Sequence, residues 1–572
     1  MRWTYKPAPD PETTAALAES LGIDPLIAGL LVQRGIEDYE QARLFFRPQL
    51  DHLHDPFLMK DMDLATARIE SALRDGERIL VYGDYDVDGT TAVSLMVAYL
   101  ESEYPNVASY IPDRYLEGYG ISFRGIDFAE DNEFQLIIAL DCGIKAVEQV
   151  TYAQSKGIDF IICDHHRPGE TLPPAVAVLD PKRPDCTYPY TDLCGCGVGF
   201  KLIQALQQRK GLPVESLRPY LDLVAVAIAA DIVPITGENR VLTHYGLQVI
   251  NEDPRPGLKA LMQDIQRVRY QVSDLVFQLA PRLNAAGRLR HGEQAVQLLT
   301  ERDWEQARRY ALEIESLNEE RKGLDQQITE EALSIIREKG EESDMSTVVY
   351  RDTWHKGVIG IVASRLMETY YRPTLVFTRS GDKLAASARS VRGFDVYQAL
   401  EACADTIEQF GGHTYAAGLT LEAGKYEEFK KRFEAVVSET LLPEHRLPQV
   451  QIDMPIHLGE ITPKLWRILK EFAPFGPGNS SPVFASGPLK ERGYVRTVGG
   501  NGAHLKVSVT QDGSGPIAGI GFGLGSRREK VENGAPFWAA YSLDENTWQG
   551  KTSLQLKIRD IQSEAPQASF SK

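Results

Sequence analysis

The sequence predicts a multidomain α/β protein: a parallel-sheet domain, a connecting helix, a smaller α/β domain and a C-terminal β-barrel. Three observations carry that prediction. Between residues 79 and 180 short apolar runs alternate with helical stretches (RILVYGD, TAVSLMVAYLES, QLIIALDCG, AVEQVTYAQSKG, DFIICDHH, AVAVLDP), the pattern of a parallel sheet. Residues 295–340 carry helical spacing and dense paired charges with no internal proline. After LLPEHRLPQV, the runs KERGYVRTV, AHLKVSVT, PIAGIGFG, APFWAAYSL and SLQLKIRDI are separated by Gly, Asn and Asp turns. That spacing suits a small barrel of the oligonucleotide-binding kind.

A length of 572 residues sets a prior of three or four domains. In chain order the expected pieces are a helical lead-in over 1–75 packed on the sheet domain, the parallel-sheet domain over 76–245 and a helical connector over 246–345. The smaller α/β domain follows over 346–440 and the barrel over 450–562. With 43% apolar and 25% charged residues, disordered, collagen-like and mucin-like classes are excluded. No run approaches 18 uncharged apolar residues, and MRWTYKPAPD lacks a signal peptide's basic and apolar regions. The expectation is a cytoplasmic protein with no membrane partner. Six cysteines with no CxxC pair and no zinc spacing fit a reducing compartment without structural zinc. A net charge of -18 argues against coating DNA through overall positive charge and leaves room only for a local basic channel.

The sharpest local feature is GDYDVDGTT, which sets Asp84, Asp86 and Asp88 at alternate positions directly after ILVYG. D-x-D-x-D-G also opens an EF-hand, but that loop needs a helix in front and a bidentate glutamate at position 12, where this chain has a strand and Leu95. Helix capping explains one such aspartate, not three, and carboxylates this close repel unless cations neutralise them. Asp141 ends LIIALDCG, and Asp164, His165 and His166 end FIICDHH. Each alone reads equally well as a functional residue or as a helix cap or surface residue. Together, three successive strands deliver oxygen and imidazole donors to the sheet edge where α/β folds bind ligands, a mixture that suits Mn²⁺ or Mg²⁺. Asp231, directly after LVAVAIAA, needs a partner or a metal for the same reason.

In that order GDYDVDG, LDCG, DHH and AADIVP resemble motifs I to IV of the DHH phosphoesterase superfamily. APRLNAAGRL (280–289), WHKGVIGIVASRL (354–366), ASARSVRGFD (386–395), FGGHTYAAG (410–418) and PFGPGN (474–479) narrow the resemblance to the RecJ family of single-strand-specific 5′→3′ exonucleases, over about residues 75–562. The resemblance implies a DHH catalytic domain, a DHH-associated domain and an oligonucleotide-binding barrel. It implies a two-metal phosphodiesterase that hydrolyses single-stranded DNA from the 5′ end to 5′ mononucleotides in DNA repair and recombination. Its cofactors would be two divalent cations, Mn²⁺ or Mg²⁺, held by Asp86, Asp88, Asp141, His165 and Asp231, with Asp141 bridging. Related pyrophosphatases place a histidine where this chain has Tyr82; Asp84 either fills that vacancy as a ligand or hydrogen-bonds a metal-bound water. His166 would face the scissile phosphate, and Asp164 would orient a histidine. The implied partners are single-stranded DNA, a single-strand-binding protein and a RecQ-type helicase, met as a monomer. Superfamily pyrophosphatases, nanoRNases and cyclic dinucleotide phosphodiesterases need no such barrel, and non-catalytic RecJ-like scaffolds have lost metal ligands.

Arginines cluster against the acidic background: Arg114 in IPDRYLEG, Arg282 and Arg288 in PRLNAAGRL, Arg389 beside Ser387 in ASARS. By the resemblance Arg114, Ser387 and Arg389 form the pocket for a 5′ phosphate, to which guanidinium forks bind bidentately. Gly411, Gly412, His413 and Gly418 would let a phosphate chain approach the backbone. The expected substrate-binding set is completed by Arg282 and Trp548. Of the barrel aromatics Tyr494, Phe522, Trp538 and Trp548, the alternation sends Trp538 into the core and leaves Trp548, in a polar turn, as the best base-stacking candidate. CGCGVGF (194–200) has Phe200 where a dinucleotide motif needs its last glycine, and no P-loop occurs, so neither predicts a nucleotide site.

Overall fold

The computed structural model describes residues 1–265, 267–532, 534–548 and 551–566. The chain opens with β1 (Arg2–Tyr5) and three helices, Pro11–Leu21, Pro25–Val32 and Tyr39–Phe46. Each helix starts at an aspartate, Asp10, Asp24 or Asp38, whose carboxylate accepts a first-turn N–H.

Five parallel strands follow: β2 (Ile79–Gly83), β3 (Val107–Tyr110), β4 (Leu136–Leu140), β5 (Asp159–Cys163) and β6 (Ala177–Leu179), in the order β3-β2-β4-β5-β6. β2 and β4 are buried throughout, as continuous apolar runs require when helices cover both faces. On one face Val81 and Ile138 pack with helices Val87–Glu101, Gly195–Arg209 and Leu221–Ala230. On the other, Tyr82, Ile137 and Phe160 pack with Ile126 and Val150. The strand order turns back between β2 and β4, so the residues after these two strands meet at a switch point.

Helices Gly237–Glu252, Ala280–Leu289 and Glu293–Thr300 lead to the 35-residue helix Trp304–Glu338. The second sheet comprises β7 (Thr347–Tyr350), β8 (Thr374–Ser380), β9 (Lys383–Arg389), β10 (Gln409–His413) and β11 (Ala416–Glu422), in the order β10-β11-β9-β8-β7. Only β7 and β8 are parallel. Helix Ile359–Tyr370 and the end of the long helix cover one face through Val362, Leu366, Ile328 and Ile336, and Phe429 and Phe433 cover the other.

The last strands are β12 (Gln449–Ile452), β13 (Met454–Pro455), β14 (Phe484–Val498), β15 (His504–Thr510), β16 (Ile517–Gly521), β17 (Phe537–Trp548) and β18 (Lys551–Gln562). The ladder β14-β15-β16-β18-β17 closes because β14 also pairs with β17. Irregularities at Ser486/Leu489 and Glu491/Val495 bend β14 enough to serve both neighbours.

The expected lead-in over 1–75 is corrected. Residues 1–48 form one compact unit with Leu447 onward, and residues 49–446 form the other. β1 pairs in parallel with β12, Trp3 Nε1–H donates to Asp560 at 2.9 Å, and Leu17, Ile27, Leu30 and Leu31 share a core with Phe472, Leu505 and Tyr541. The reason is that helices of 8 to 11 residues cannot bury their apolar faces alone, and the barrel unit completes their core. Of the lead-in helices, Met62–Asp75 does pack on the parallel-sheet core, through Met62, Ala65 and Ile69.

Candidate active site

The acids of the constellation sit at the ends of strands and helices or, for Asp88, in the first turn of helix Val87–Glu101. Asp84 follows β2, and Asp86 caps helix Val87–Glu101 by accepting the Gly89 N–H at 3.1 Å. The turn is so tight that a Cβ on Gly89 would lie 2.4 Å from the Asp84 carbonyl oxygen. Asp141 follows β4 with a left-handed backbone (φ 59°), a conformation that costs a non-glycine residue about 1 kcal/mol. His165 and His166 lie just beyond β5, and Asp231 ends helix Leu221–Ala230. His165 Nε2 lies 3.3 Å from Asp141 Oδ1, 3.7 Å from Asp231 Oδ2 and 3.9 Å from Asp88 Oδ2. Three donor sets have their ligand atoms within 4.8 Å of one another: Asp84, Asp86 and Asp141; Asp88, His165 and Asp231; Asp141, His165 and His166. Asp141 and His165 each belong to two sets, the overlap that adjacent metal positions need.

The donors fit divalent cations. Both carboxylate oxygens of Asp84, Oδ1 of Asp141 and Nδ1 of His165 are buried without a hydrogen-bond partner. Each such group costs about 1–3 kcal/mol unless something satisfies it, and a cation satisfies the carboxylates. Burial first, then the neighbouring carboxylates, push Asp84 and Asp141 well above the usual range and Asp231 up to about 8. Burial lowers His165, which favours the neutral, ligating imidazole. Burial raises the thiols of Cys142, Cys163, Cys194 and Cys196, and among the described residues no cysteine belongs to these donor sets.

Asp164 behaves oppositely. Burial opposes its ionisation, but the His166 ring, its charge and the backbone N–H groups of Ile144 and His166 outweigh it and bring Asp164 down to about 2. Asp164 Oδ1 accepts from His165 N–H at 2.7 Å and from His166 Nδ1 at 2.8 Å, and Oδ2 accepts from Ile144 N–H at 2.9 Å. Desolvation opposes the charge on His166, yet the Asp164 bond prevails and raises it to about 9. Tyr119, which the sequence reading passed over, sets its hydroxyl 3.3 Å from His166 Nε2. Its one signal was its place in EGYG, directly after the Arg114 loop.

A basic cluster lies beside the acids. Arg114 stacks 4.2 Å over the ring of Tyr85, the residue between Asp84 and Asp86. Desolvation, together with the like charges of Arg114, Arg389 and Arg321, holds Arg288 down to about 10. Arg389 donates to Ser387 Oγ at 3.1 Å, and a Cβ on Gly360, in the first turn of helix Ile359–Tyr370, would lie 3.0 Å from that oxygen. Arginines converging beside a helix N-terminus suit a dianionic phosphate. Strand register places Ser387 opposite Gly418 and Gly418 opposite Gly411, and likewise Arg389, Ala416 and His413 in one row. A strip of small residues therefore runs from Ser387 to the exposed edge strand that carries Gly411, Gly412 and His413.

Two expectations do not join this arrangement. Arg282 pairs with Glu315 at 2.9 Å and donates to the Leu261 carbonyl, bracing the connector helices. It sits six residues before Arg288, which on a helix is a different face, so it stands apart from the basic cluster. The side chain of Trp548 lies outside the described residues. Arg321, on the long helix, was not foreseen, because a single arginine in a charge-rich helix carries no signal of what it faces.

Family profiles match three stretches in chain order: the DHH family, N-terminal domain, at residues 78–228; the DHHA1 domain at 344–439; and the RecJ OB domain at 452–560. The single-stranded-DNA-specific exonuclease RecJ of Bacillus subtilis (strain 168) is 38% identical over 98% of this chain and 70% of its own length. The RecJ of Escherichia coli (strain K12) is 35% identical over 94% of this chain and 96% of its own. The crystal structure of RecJ in complex with Mn²⁺ from Thermus thermophilus matches 100% of this chain and 80% of that one, with a TM-score of 0.84 at 28% identity. The Mg²⁺ complex from the same organism gives a TM-score of 0.78 at 27% identity, covering 100% of this chain and 79% of that one. Likeness at this identity over nearly the whole chain shows that the protein belongs to the RecJ family.

Proposed function

We propose that this chain is a metal-dependent 5′→3′ exonuclease that degrades single-stranded DNA to 5′ mononucleotides, in DNA repair and recombination. The observation that carries the reading is Arg114 stacked on Tyr85, which sets an anion-binding arginine beside the acids that flank that tyrosine. Asp86, Asp88, Asp141, His165 and Asp231, with Asp84, would hold two divalent cations, Mn²⁺ or Mg²⁺. When bound, the cations supply an activated water and neutralise charge developing at phosphorus. Asp164 keeps His166 protonated and oriented, so its imidazolium can donate to a non-bridging oxygen of the scissile phosphate. Arg114, Arg288, Ser387 and Arg389 would clamp the terminal 5′ phosphate, so that the first phosphodiester reaches the acids and polarity follows. The small-residue strip through Gly418, Gly411 and Gly412, with His413, would track the sugar-phosphate chain.

In the barrel the exposed Tyr494 and Phe522, together with Trp548, would stack on bases farther along the strand. Trp538 is instead half-buried against Gly487, where a Cβ would lie 2.1 Å from its ring. Among the described residues no single helix is long and apolar enough to cross a membrane. The family resemblance supports a cytoplasmic monomer working with a single-strand-binding protein and a RecQ-type helicase. Digestion of end-labelled single-stranded DNA with Mn²⁺ or Mg²⁺, on 5′-phosphorylated, 3′-blocked and double-stranded substrates, tests the reading. Mononucleotides should appear from free 5′ ends of single strands only; endonucleolytic products or release from 3′ ends would reject it.

A further inference from the structure

The segment CGCGVGF, which matches no nucleotide motif, opens helix Gly195–Arg209 directly against two of the acids. Gly195 N–H donates to Asp88 Oδ2 at 2.6 Å and Cys196 N–H donates to Oδ1 at 2.8 Å. First-turn N–H groups have no carbonyl partner within a helix, so a carboxylate set there receives two charge-assisted bonds and the positive end of the dipole. The second contact is steric. A Cβ on Gly195 would lie 2.4 Å from both Cβ and Oδ1 of Asp141, and 2.7 Å from its Cα. Asp141 has little room to retreat, because its backbone is held in the left-handed region and its N–H is bonded to the Cys163 carbonyl. One residue thus touches two acids that arrive from different strands, Asp88 through its N–H and Asp141 through its bare Cα. The other glycines of the segment do not share this constraint: a Cβ on Gly197 would meet Leu193 at an ordinary 3.4 Å.

We propose that Gly195 is a positioning residue of the metal centre, fixing Asp88 and Asp141 relative to each other through the N-terminus of helix Gly195–Arg209. The proposal rests on reading Asp88 and Asp141 as metal ligands. With both Asp88 oxygens already bonded from the helix side, the carboxylate plane is set before any cation arrives, and its free lone pairs remain for the side occupied by His165. An added methyl at Gly195 would push Asp141 away while leaving every ligand side chain chemically intact.

The test compares full-length wild type, Gly195→Ala, Gly197→Ala and Asp141→Asn, stripped of metal. Mn²⁺ binding is measured by calorimetry and electron paramagnetic resonance, the melting temperature without metal by thermal denaturation, and 5′-phosphorylated single-strand binding without turnover. Gly195→Ala should weaken Mn²⁺ binding by about tenfold or more, the scale of losing an outer support of a metal site, and change its spectrum. Its affinity for the DNA end and the Mn²⁺ affinity of Gly197→Ala should stay close to wild type. Equal loss of Mn²⁺ affinity in both glycine variants, or wild-type affinity in Gly195→Ala, would overturn the proposal. If Gly195→Ala does not fold, replacing the Gly195–Cys196 amide by an ester, through an α-hydroxy acid at position 196, deletes the second N–H and keeps the backbone path. Weaker Mn²⁺ binding in that variant supports the proposal, and unchanged binding overturns it. Wild-type Mn²⁺ binding in Asp141→Asn would instead sink the ligand reading itself, so the two failures are distinguishable.

Discussion

Asp141 bears a left-handed backbone, a buried carboxylate and acidic neighbours that include Asp84, Asp86, Asp88, Asp164 and Asp231. Asparagine tolerates that backbone and removes the charge. Asp141→Asn should lower hydrolysis by about 10² to 10³-fold or more, while the metal-free melting temperature holds or rises because repulsion is relieved. Mononucleotide release near the wild-type rate would reject the assignment. Arg389 tests the other half of the site: Arg389→Ala should weaken use of 5′-phosphorylated ends by about 10-fold to 150-fold, the value of a charged hydrogen bond, and spare 5′-hydroxyl ends. Equal loss on both ends would make Arg389 a general backbone contact. Asp231 gives a pH signature. Its carboxyl is held up to about 8 when folded, against an unfolded value near ~3.9. A raised folded value means that its stabilising contribution is complete below about pH 4 and is lost as pH rises through about 8. Metal-free protein should therefore lose stability over that window, Asp231→Asn should flatten the loss, and Mn²⁺ binding at neutral pH should release protons. Calorimetry in buffers of differing ionisation enthalpy reads the release; none at pH 7 would contradict the shift.

At the scale of elements, helix Gly195–Arg209 has two attachments. Its N-terminus holds Asp88, and Lys201 in its middle forms a fully buried pair with Glu238 at 3.0 Å. Glu238 also accepts from the Tyr188 hydroxyl at 2.6 Å and the His54 N–H at 2.9 Å, so the pair ties this helix to helix Gly237–Glu252 and to the segment entering the domain. Lys201→Met would leave a buried carboxylate without its cation and should cost about 3–5 kcal/mol in urea denaturation. A loss under about 1 kcal/mol would show that Glu238 takes up a proton or finds another partner. The strands were legible because ILVYG, LIIAL and DFIIC are apolar runs too short for helices and end in acids. The lone helix face of Arg282 was not, because PRLNAAGRL offers two arginines, and only packing shows which one meets the basic cluster.

The whole molecule is two compact units, of which residues 49–446 contain every acid, histidine and arginine of the site. Removing the barrel alone would strip β1 and the first helices of their partners, so the cleaner division removes residues 1–48 together with 447–572. The remaining fragment should keep its rate on very short oligonucleotides while its Michaelis constant for long single strands rises by about tenfold or more, the cost of losing two stacked bases. Equal loss of turnover on both substrates would mean that the barrel unit supports the catalytic unit rather than holding the strand.

What the chain order of residues determined by itself was the alternation of strands and helices and the identity of the donors at their ends, because side-chain period and strand-end chemistry are local properties. The candidate donors, Asp84 through Asp231, were legible for the same reason: each motif lies within a few residues of one strand or helix end, and their order carried the family resemblance that implies a metal set. Tertiary structure alone decided what depends on distant segments meeting. It paired residues 1–48 with the barrel, since an edge strand and short amphipathic helices bury themselves wherever a complementary face exists. It brought Arg288 and Arg321 to Arg114 and turned Arg282 away, since helical phase matters only against a neighbour. And it set Gly195 against Asp141, a contact between segments 54 residues apart that no local pattern encodes, because close packing is a property of surfaces and not of sequence.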